Sequence, residues 1–559
     1  MTIMNLRNVS VSIAILMTAI LLQPLFLSSQ SKKIPVTRAE ASGYKATSRH
    51  ADVMDFIRDL QRLSPKIRVE TLAVSAEGRQ IPLIVIGDPV PASPADLNYD
   101  DKLVIYFQAN IHAGEVEGKE AALMLARELT LGKASRFLDR LVVLIAPNFN
   151  PDGNERISPD NRRNQIGPEE GVGVRSNAQN LDLNRDGLKI ESPEVRGLVR
   201  NVMRRWDPAV LLDSHTHNGS YHEEVVTYVW SLNPNGDRSL INYMSDVFTP
   251  AVNKILKDTY GLPCIPHGDF MSIQEPEKGW RPLGPEPRYI SNAIGLRNRL
   301  GILNENYPYA PFEERVTGAY SLFLAVTEYC HAHAGEIRNL IREADRRTVL
   351  RGLRPSAEDT FGVEFDVRPL KNNITVIGYE MEVTTEEDGR RRVTKSDRTR
   401  TYSMPFFADY FAKRSVRLPY AYLIPQPIPE AVEILQRHGV VVETLIEPVK
   451  LRAESFAVSK LEAQPMLNQG HRLNRVQGEY RTGEMEFPAG TTVVLLAQPL
   501  ANVAAYLLEP ESNDGLLVWN VFDRYLSQQW SREPAVYPVY KIYNPVPLAK
   551  DVLPVPEER

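Results

Sequence analysis

Between residues 51 and 345, short uninterrupted apolar segments alternate with segments in which apolar residues recur at helical spacing. A strand without a polar face must be covered on both sides, which is typical of parallel sheets flanked by helices. The pattern predicts an α/β fold with a mostly parallel or mixed central sheet and helices on both faces. The predicted strands are 103–107, 141–146, 209–213 and 300–303, and the predicted helices are 117–131, 193–205 and 316–330.

From about residue 350 the sequence changes character, because short β-type segments replace the alternation of strands and helices. A chain of 559 residues is also longer than one hydrophobic core usually serves. We therefore expect a first domain at residues 45–345 and a β-rich C-terminal domain at residues 355–559. The clearest elements of the second domain are strands at 375–379, 392–394, 440–444 and 492–496, and a helix at 429–437.

Residues 1–31 differ from the rest of the chain. Arg7 precedes an apolar run at residues 9–27, and small polar residues follow at 28–31. That order is typical of a signal peptide, although the run is almost long enough to span a bilayer at about 20 residues. We expect either a cleaved signal or a retained N-terminal anchor, and in both cases an exported body.

The composition narrows the classes of partner. A net charge of −5 is small for this length, so nothing favours nucleic acid or an anionic membrane surface. Only two cysteines occur, Cys264 and Cys330, which excludes a disulfide framework and a cysteine-based zinc site. Whether these two cysteines pair remains open at this stage.

A histidine and a glutamate follow directly after the first predicted strand of the α/β region. His112 and Glu115 are three residues apart in a strand-to-helix turn, where both side chains can face one point. Reactive groups gather at the carboxyl ends of strands in such sheets. Zinc binds imidazole nitrogen and carboxylate oxygen, and a catalytic zinc site uses three protein ligands. The pair therefore predicts two ligands of a zinc site.

The third ligand is expected at the end of the strand predicted at 209–213. His215 and His217 both follow it, and His215 lies nearer to the strand, where the direction of the side chain is fixed. We therefore prefer His215 as the ligand. His217 is left as an alternative ligand, a residue on the substrate side, or an exposed residue.

Two further motifs make a family resemblance specific. Asn150-Pro151-Asp152-Gly153 and Asp182-Leu183-Asn184-Arg185 lie between the HxxE pair and the His215 strand. In this order, over residues 45–340, the chain resembles the zinc carboxypeptidases of the carboxypeptidase A type. The resemblance implies an exported bacterial-type zinc peptidase with an extra C-terminal domain.

The resemblance also implies roles for the remaining residues of the site. Asn184 and Arg185 match the pair that binds the terminal carboxylate of the substrate, and a guanidinium suits this because it donates two parallel hydrogen bonds. Asp182 matches the carboxylate that orients His112. The arginine expected after the NPDG motif, which would stabilise the oxyanion, corresponds to Arg163 or Arg162, with Arg163 preferred.

The family's general base is a glutamate on a later strand, and Glu305 matches it best. Glu313 and Glu314 are alternatives that lie beyond Pro308 and Pro311, in a segment that resembles a loop. Tyr289 is the nearest match to the family's mobile tyrosine.

Together these matches predict zinc-dependent hydrolysis of peptide bonds, with removal of C-terminal residues from exported or extracellular peptides. Gly187 stands where the family usually has an aromatic residue, and the segment from Arg185 to His215 is short. Both departures affect substrate binding more than zinc chemistry. The alternatives are therefore an amidase, a deacylase or an endopeptidase acting on cell-wall peptides, and a non-catalytic binding protein on a peptidase fold.

Overall fold

The computed structural model describes residues 33–97, 101–217, 219–385, 391–526 and 535–555. The predicted signal or anchor at residues 1–31 lies outside the described residues. Val36–Arg559 forms one compact unit, and the division into domains at 45–345 and 355–559 stays a prediction. Among the residues described, no helix combines the length and the apolar character needed to cross a membrane.

The first part of the chain forms a mixed sheet, and each of the four predicted strands falls in it. In chain order, the strands up to residue 306 are β1 (Ile67–Val74), β2 (Gln80–Ile86), β3 (Leu103–Ala109), β4 (Leu141–Ala146), β5 (Val210–Thr216), β6 (Val226–Trp230), β7 (Cys264–Pro266), β8 (Asp269–Phe270), β9 (Trp280–Arg281) and β10 (Leu300–Asn306). The spatial order in the sheet is β1-β2-β4-β3-β5-β10-β6-β7, while β8 pairs with β9. Strands β4, β3, β5 and β10 run parallel to their neighbours in this series. The predicted α/β fold class is thereby confirmed.

Helices cover both faces of this sheet, because its central strands are apolar on both sides. Ile105 and Phe107 of β3 belong to one buried cluster, together with Leu125 and Phe323. Val104, which alternates with them, belongs to the opposite cluster. The α-helices of this part are Arg38–Ala41, His50–Leu63, Glu117–Leu131, Pro151–Asn154, Pro193–Gly197, Arg238–Tyr243, Thr249–Tyr260, Ile290–Leu296, Phe312–Ala332 and Ala334–Leu353.

The predicted helices differ from these in their limits and, in one case, in helix type. Glu117–Leu131 has the predicted bounds, whereas the helix predicted at 316–330 extends to Phe312–Ala332. The helix predicted at 193–205 is α-helical over Pro193–Gly197 and continues as a π-helix over Leu198–Arg204. Both cysteines are free thiols in the structure.

The C-terminal part is β-rich, as predicted. Its strands are β11 (Thr360–Arg368), β12 (Ile374–Thr385), β13 (Arg391–Met404), β14 (Asp409–Arg417), β15 (Ala421–Ile424), β16 (Glu443–Leu445), β17 (Val449–Ala463), β18 (Asn474–Phe487), β19 (Thr492–Leu495), β20 (Ala535–Val536), β21 (Tyr540–Ile542) and β22 (Lys550–Val552). The main sheet has the order β18-β17-β21-β15-β19-β16-β22, and the α-helices are Pro429–His438, Ala501–Leu508 and Asp523–Leu526.

One predicted strand of this part is displaced. The apolar run at 440–444 contributes only its last two residues to a strand, because Gly439 ends the preceding helix in a left-handed conformation and Val440 donates back to the Leu435 carbonyl. The amide of Val441 is bonded to the side chain of Gln498 instead of to a neighbouring strand.

The turn between β17 and β18 lies against the first part of the chain. Gln469 accepts a hydrogen bond from the backbone amide of Asp182 at 2.7 Å. His471 contacts Glu191, with 2.6 Å between Nε2 and Oε1. Gln469 adopts a left-handed backbone conformation with φ 54°, which is uncommon for a residue with a side chain. These contacts connect the C-terminal sheet to the loop that carries the DLNR motif.

The ion pair between His471 and Glu191 should make stability depend on pH. The hydrogen bond to Glu191 raises the pKa of His471, although partial burial opposes it. Burial alone would raise the pKa of Glu191, but His471 and Lys189 lower it to about 2. The raised histidine pKa stabilises the fold below the unfolded value near 6.5, and this contribution is lost as the pH rises through the folded value. The lowered glutamate pKa stabilises above about 4.5 and is lost as the pH falls towards 2.

We therefore expect His471→Gln to destabilise the protein most between pH 4.5 and 6.5. Both side chains are partly exposed, so the expected effect is only about 0.5 kcal/mol. Thermal unfolding of the variant and the wild type at pH 5.5 and at pH 8.5 measures it. An equal loss of stability at the two pH values would contradict this explanation.

Candidate active site

Three side chains meet at the carboxyl ends of β3 and β5. His112 and Glu115 lie in the turn that follows β3, and His215 lies on β5 itself. The Nδ1 atom of His112 is 3.1 Å from Glu115 Oε1 and 3.1 Å from His215 Nδ1, and His215 Nδ1 is 2.9 Å from Glu115 Oε2. All three residues are buried, with 3%, 3% and 2% of their surface exposed.

The hydrogen bonds around the two histidines show what this cluster can hold. His112 Nε2 is 2.9 Å from Asp182 Oδ1, and His215 Nε2 is 3.0 Å from Asp213 Oδ2. Each Nε2 therefore donates to a carboxylate, which leaves both Nδ1 lone pairs directed at each other and at Glu115. A cation bound between these electron pairs would satisfy them. Two imidazole nitrogens and one carboxylate are a donor set of catalytic zinc sites, so the residues fit zinc.

Glu115 is ionised in this arrangement. Burial opposes its ionisation, but the neighbouring His112 and Arg162 lower the pKa of Glu115 well below its ordinary value. It also accepts a hydrogen bond from the backbone amide of Thr216 at 3.1 Å. The carboxylate is thus fixed in position and able to act as a metal ligand.

Asp213 is a residue of the site that sequence reasoning missed. It lies two residues before His215 on β5, so both side chains point to the same face of the sheet. Gln108 donates to its other oxygen at 3.1 Å and holds the carboxylate in place. The i, i+2 spacing on a predicted strand was a signal that could have identified it.

We expect Asp213→Asn to weaken zinc binding by about 10–100-fold, because a neutral amide replaces the anionic carboxylate that accepts the hydrogen bond from His215 Nε2. Zinc affinity measured by competition with a chromophoric chelator tests this. Asp269→Asn is the matched control, because Asp269 contacts His217, which lies outside the three-residue cluster, at 3.1 Å. Equal weakening of zinc binding at the three-residue cluster in both variants would contradict the role of Asp213.

The NPDG motif supports the loop that carries His112. The side chain of Asn150 accepts from Gly153 N at 2.9 Å and donates to the Ile111 carbonyl at 3.3 Å. Asp152, fully buried, accepts from Ser75 Oγ and from Arg79 Nη1, each at 2.7 Å. The motif therefore fixes the backbone next to His112, and none of these contacts reaches the cluster itself.

The two predicted arginines are separated by the structure. Arg162 Nη1 lies 2.9 Å from Glu115 Oε1, and Arg162 Nη2 donates to the Thr216 carbonyl at 2.8 Å. The Arg163 side chain is 76% exposed and pairs with Asp160 at 3.0 Å, away from the cluster. A Cβ atom on Gly114 would approach Arg162 Cδ to 2.5 Å, so glycine at this position leaves the space that Arg162 occupies.

Arg175 is another basic residue of the site, in addition to Arg162, and it was not predicted from the sequence. Its Nε donates to Asp182 Oδ2 at 2.8 Å, and its Nη1 lies 3.7 Å from Glu115 Oε1. Burial opposes its charge, but Glu115 and Asp182 raise the pKa of Arg175. No recognisable spacing places Arg175 next to these carboxylates, because a loop brings it there.

Asn184, Arg185 and Tyr289 form one edge of the site. Asn184 Nδ2 is 3.3 Å from His215 Nε2, and its Oδ1 accepts from the Ile290 amide at 2.9 Å. The Arg185 guanidinium lies over the Tyr289 ring, with Cζ 4.6 Å from the ring centroid. The side chain of Arg185 remains 26% exposed and is therefore accessible to a ligand.

Glu305 lies beside the metal-ligand cluster. On β10 it is directly opposite His215 in the parallel register with β5. It is 7% exposed, and no described residue makes a hydrogen bond to its Oε2 atom. Burial raises the pKa of Glu305, while His215 opposes the shift and Glu115 adds to it. The alternatives Glu313 and Glu314 are exposed in the first turn of Phe312–Ala332.

His217 lies outside the cluster of His112, Glu115 and His215. It belongs to a neighbouring group with His267 and Glu305, whose possible ligand atoms lie within 4.8 Å of one another. His267 follows β7, and nothing near it in the sequence predicts a place beside β10.

Comparison with known proteins gives consistent matches. Residues 53–218 match the zinc carboxypeptidase family, Peptidase_M14. Carboxypeptidase 2 of Trichophyton tonsurans is 22% identical over 533 residues, which cover 91% of this chain and 89% of that protein. Carboxypeptidase D of Homo sapiens is 28% identical over 165 residues, which cover 28% of this chain and 11% of that protein. The crystal structure of a metallo-carboxypeptidase from Burkholderia cenocepacia aligns over 51% of this chain and 69% of its own, at 20% identity and a TM-score of 0.37.

Proposed function

This chain belongs to the zinc carboxypeptidase family, and from that premise we propose that it removes single C-terminal residues from peptides outside the cytoplasm. The matched segment contains the three candidate ligands and the DLNR motif, whereas Glu305 and Tyr289 lie beyond it. The roles of individual residues are therefore argued from their positions.

His112, Glu115 and His215 would hold the zinc ion. When bound, zinc supplies Lewis acidity, which activates water and polarises a carbonyl group. Glu305 would accept the proton of the attacking water at Oε2 and transfer it to the leaving nitrogen of the peptide. Its place opposite His215 supports this role, as does its buried Oε2 atom, which has no hydrogen-bond partner in the described parts of the chain.

Arg162 is the better candidate for stabilising the negative charge that develops on the carbonyl oxygen. It reaches Glu115 at 2.9 Å, whereas Arg163 is largely exposed. A guanidinium fixed beside the reacting carbonyl stabilises the charge without reorganisation of the site. Our proposal therefore places Arg162 in the role for which the sequence favoured Arg163.

The assignment to a carboxypeptidase depends mainly on the position of Arg185. Its guanidinium lies at an accessible edge of the site, over Tyr289 and next to Asn184, which is 3.3 Å from His215. A terminal carboxylate bound there by Arg185 and Asn184 would place the last peptide bond near Glu305. A substrate cleaved at an internal bond would not place a terminal carboxylate there.

The N-terminal sequence supports a place of action outside the cytoplasm. The apolar run at residues 9–27 supports export, either with cleavage after it or with retention as an anchor. The C-terminal β-rich part, proposed as a domain at 355–559, would support the rim of the site through the contact of Gln469 with Asp182.

The decisive experiment compares peptides with free and amidated C-termini. We expect zinc-loaded protein to release single residues from the free acids only, and a chelator to abolish this release. Arg185→Ala should lower kcat/KM on free acids by about 10–100-fold, since it removes hydrogen bonds to a charged group. Arg163→Ala, also an arginine but away from the cluster, is the control and should change kcat/KM by less than about twofold.

Mass spectrometry of the products separates the alternatives. Cleavage of acids and amides alike would indicate an endopeptidase or an amidase. If Arg185→Ala retained its selectivity for free acids, another group would have to bind the carboxylate.

A further inference from the structure

A second cluster of possible metal ligands lies directly beside the first. His217 follows β5, His267 follows β7, and Glu305 lies on β10, which is next to β5 in the sheet. The possible ligand atoms of these three residues lie within 4.8 Å of one another. His267 is 1% exposed and Glu305 is 7% exposed, so two of the three are buried.

The hydrogen bonds of His217 repeat the pattern of the first cluster. Its Nε2 is 3.1 Å from Asp269 Oδ2, and the other oxygen of Asp269 accepts from the backbone and the hydroxyl of Ser220 at 2.7 and 2.9 Å. Asp269 is thus an acceptor that takes the Nε2 proton, and the Nδ1 lone pair of His217 is left for a ligand. A carboxylate behind the imidazole is the arrangement usually found for histidines that bind metal.

Contacts through Thr227 indicate which ring nitrogen of His267 carries the proton. Its Nδ1 lies 3.4 Å from Thr227 Oγ1, and the Thr227 hydroxyl donates to the Glu305 carbonyl at 2.7 Å. Because that hydroxyl proton is already donated, the threonine oxygen accepts from His267 Nδ1. The Nε2 atom of His267 therefore carries a lone pair.

Glu305 supplies the negative charge of the cluster. Its Oε2 is buried and has no hydrogen-bond partner among the described residues. A cation bound within this group, whose possible ligand atoms lie within 4.8 Å of one another, would satisfy the buried carboxylate oxygen. Two imidazole nitrogens and one carboxylate match the donor set of zinc.

We propose that His217, His267 and Glu305 form a second zinc site, and that zinc bound there inhibits the enzyme. A carboxylate that is bound to a metal ion cannot accept a proton from water, so the filled site removes Glu305 from proton transfer. The inhibition rests on the proposed role of Glu305, whereas the binding of metal does not. Asp269 is a positioning residue that orients His217.

The binding is tested by counting metal ions. The chelator-stripped protein is titrated with Zn²⁺ by equilibrium dialysis, and with Co²⁺ by visible absorption, which reports the coordination geometry of the bound metal. We expect two equivalents in the wild type, and one in His217→Gln and in His267→Gln. His438→Gln is the matched control, because His438 is buried, bonds the Leu188 carbonyl and belongs to neither cluster, and it should bind two.

His267 is buried and its variant could fail to fold, but His217 has an 18% exposed side chain, so His217→Gln keeps the test valid. A single equivalent in the wild type would overturn the proposal. Two equivalents in both histidine variants would overturn the choice of ligands.

The inhibition is tested by activity at one equivalent and at excess zinc, each protein being compared with its own rate at one equivalent. We expect the wild type to lose at least about tenfold as the second site fills, and His217→Gln to lose little. An unchanged wild-type rate with two equivalents bound would overturn the inhibitory role. If no hydrolysis occurred at one equivalent, the proposed function would fail together with the inhibition, while the metal count would still decide the site.

Discussion

Replacing His215 with alanine is expected to remove the first zinc equivalent and to slow hydrolysis by at least about 10³-fold, because the metal supplies several kcal/mol of stabilisation to the transition state. His215 is 2.9 Å from Glu115 and 3.1 Å from His112, so its loss leaves only two of three ligands. It also leaves Asp213 buried without the imidazole to which it is bonded. Zinc content after dialysis and kcat/KM on a free-acid peptide measure both effects.

The matched control is His217→Ala, two residues away along the chain. His217 lies in the neighbouring group with His267, so this variant should keep the first zinc equivalent and measurable hydrolysis at that equivalent. If His217→Ala lost the first equivalent and His215→Ala kept it, the assignment of the third ligand would be reversed.

Replacing Glu305 with glutamine is expected to lower kcat by about 10²–10⁴-fold while the first zinc equivalent stays bound. The amide has nearly the same size but cannot accept the proton of water. Burial raises the pKa of the Glu305 carboxyl, which brings it nearer to that of the water it would deprotonate. Assays at a single zinc equivalent keep the second cluster from affecting the comparison.

Glu314→Gln serves as the control, since Glu314 is exposed in the first turn of Phe312–Ala332. It should retain the wild-type kcat. Near-normal turnover in Glu305→Gln would remove Glu305 from the mechanism, whatever its effect on metal binding.

The parts of the site that could be predicted from the sequence lie next to strands. The apolar runs at 103–107 and 209–213 predicted β3 and β5, and their carboxyl ends located His112, Glu115 and His215. A strand fixes the direction of its side chains, so a residue near its end can be placed before the structure is known. Glu305 was predicted through the family resemblance, and it lies on β10.

The parts that could not be predicted depend on loops. Arg162 and Arg163 are adjacent, yet Arg162, whose backbone is left-handed with φ 51°, contacts Glu115, whereas Arg163 pairs with Asp160. Arg175 reaches Asp182 from seven residues earlier in the same loop, whereas Gln469 reaches it from 287 residues away. No periodicity encodes such contacts, because they depend on how separately formed segments pack together.

The contact between Gln469 and Asp182 has a consequence for the order in which the site is completed during synthesis. The two residues are 287 positions apart, and the ribosome makes Asp182 long before Gln469. A nascent chain that has just passed residue 305 already contains every proposed zinc ligand and the proposed base. It still lacks Gln469, whose side chain accepts a hydrogen bond from the backbone amide of Asp182, the carboxylate partner of His112. Full assembly of the site therefore waits for the hairpin that is made near the end of translation.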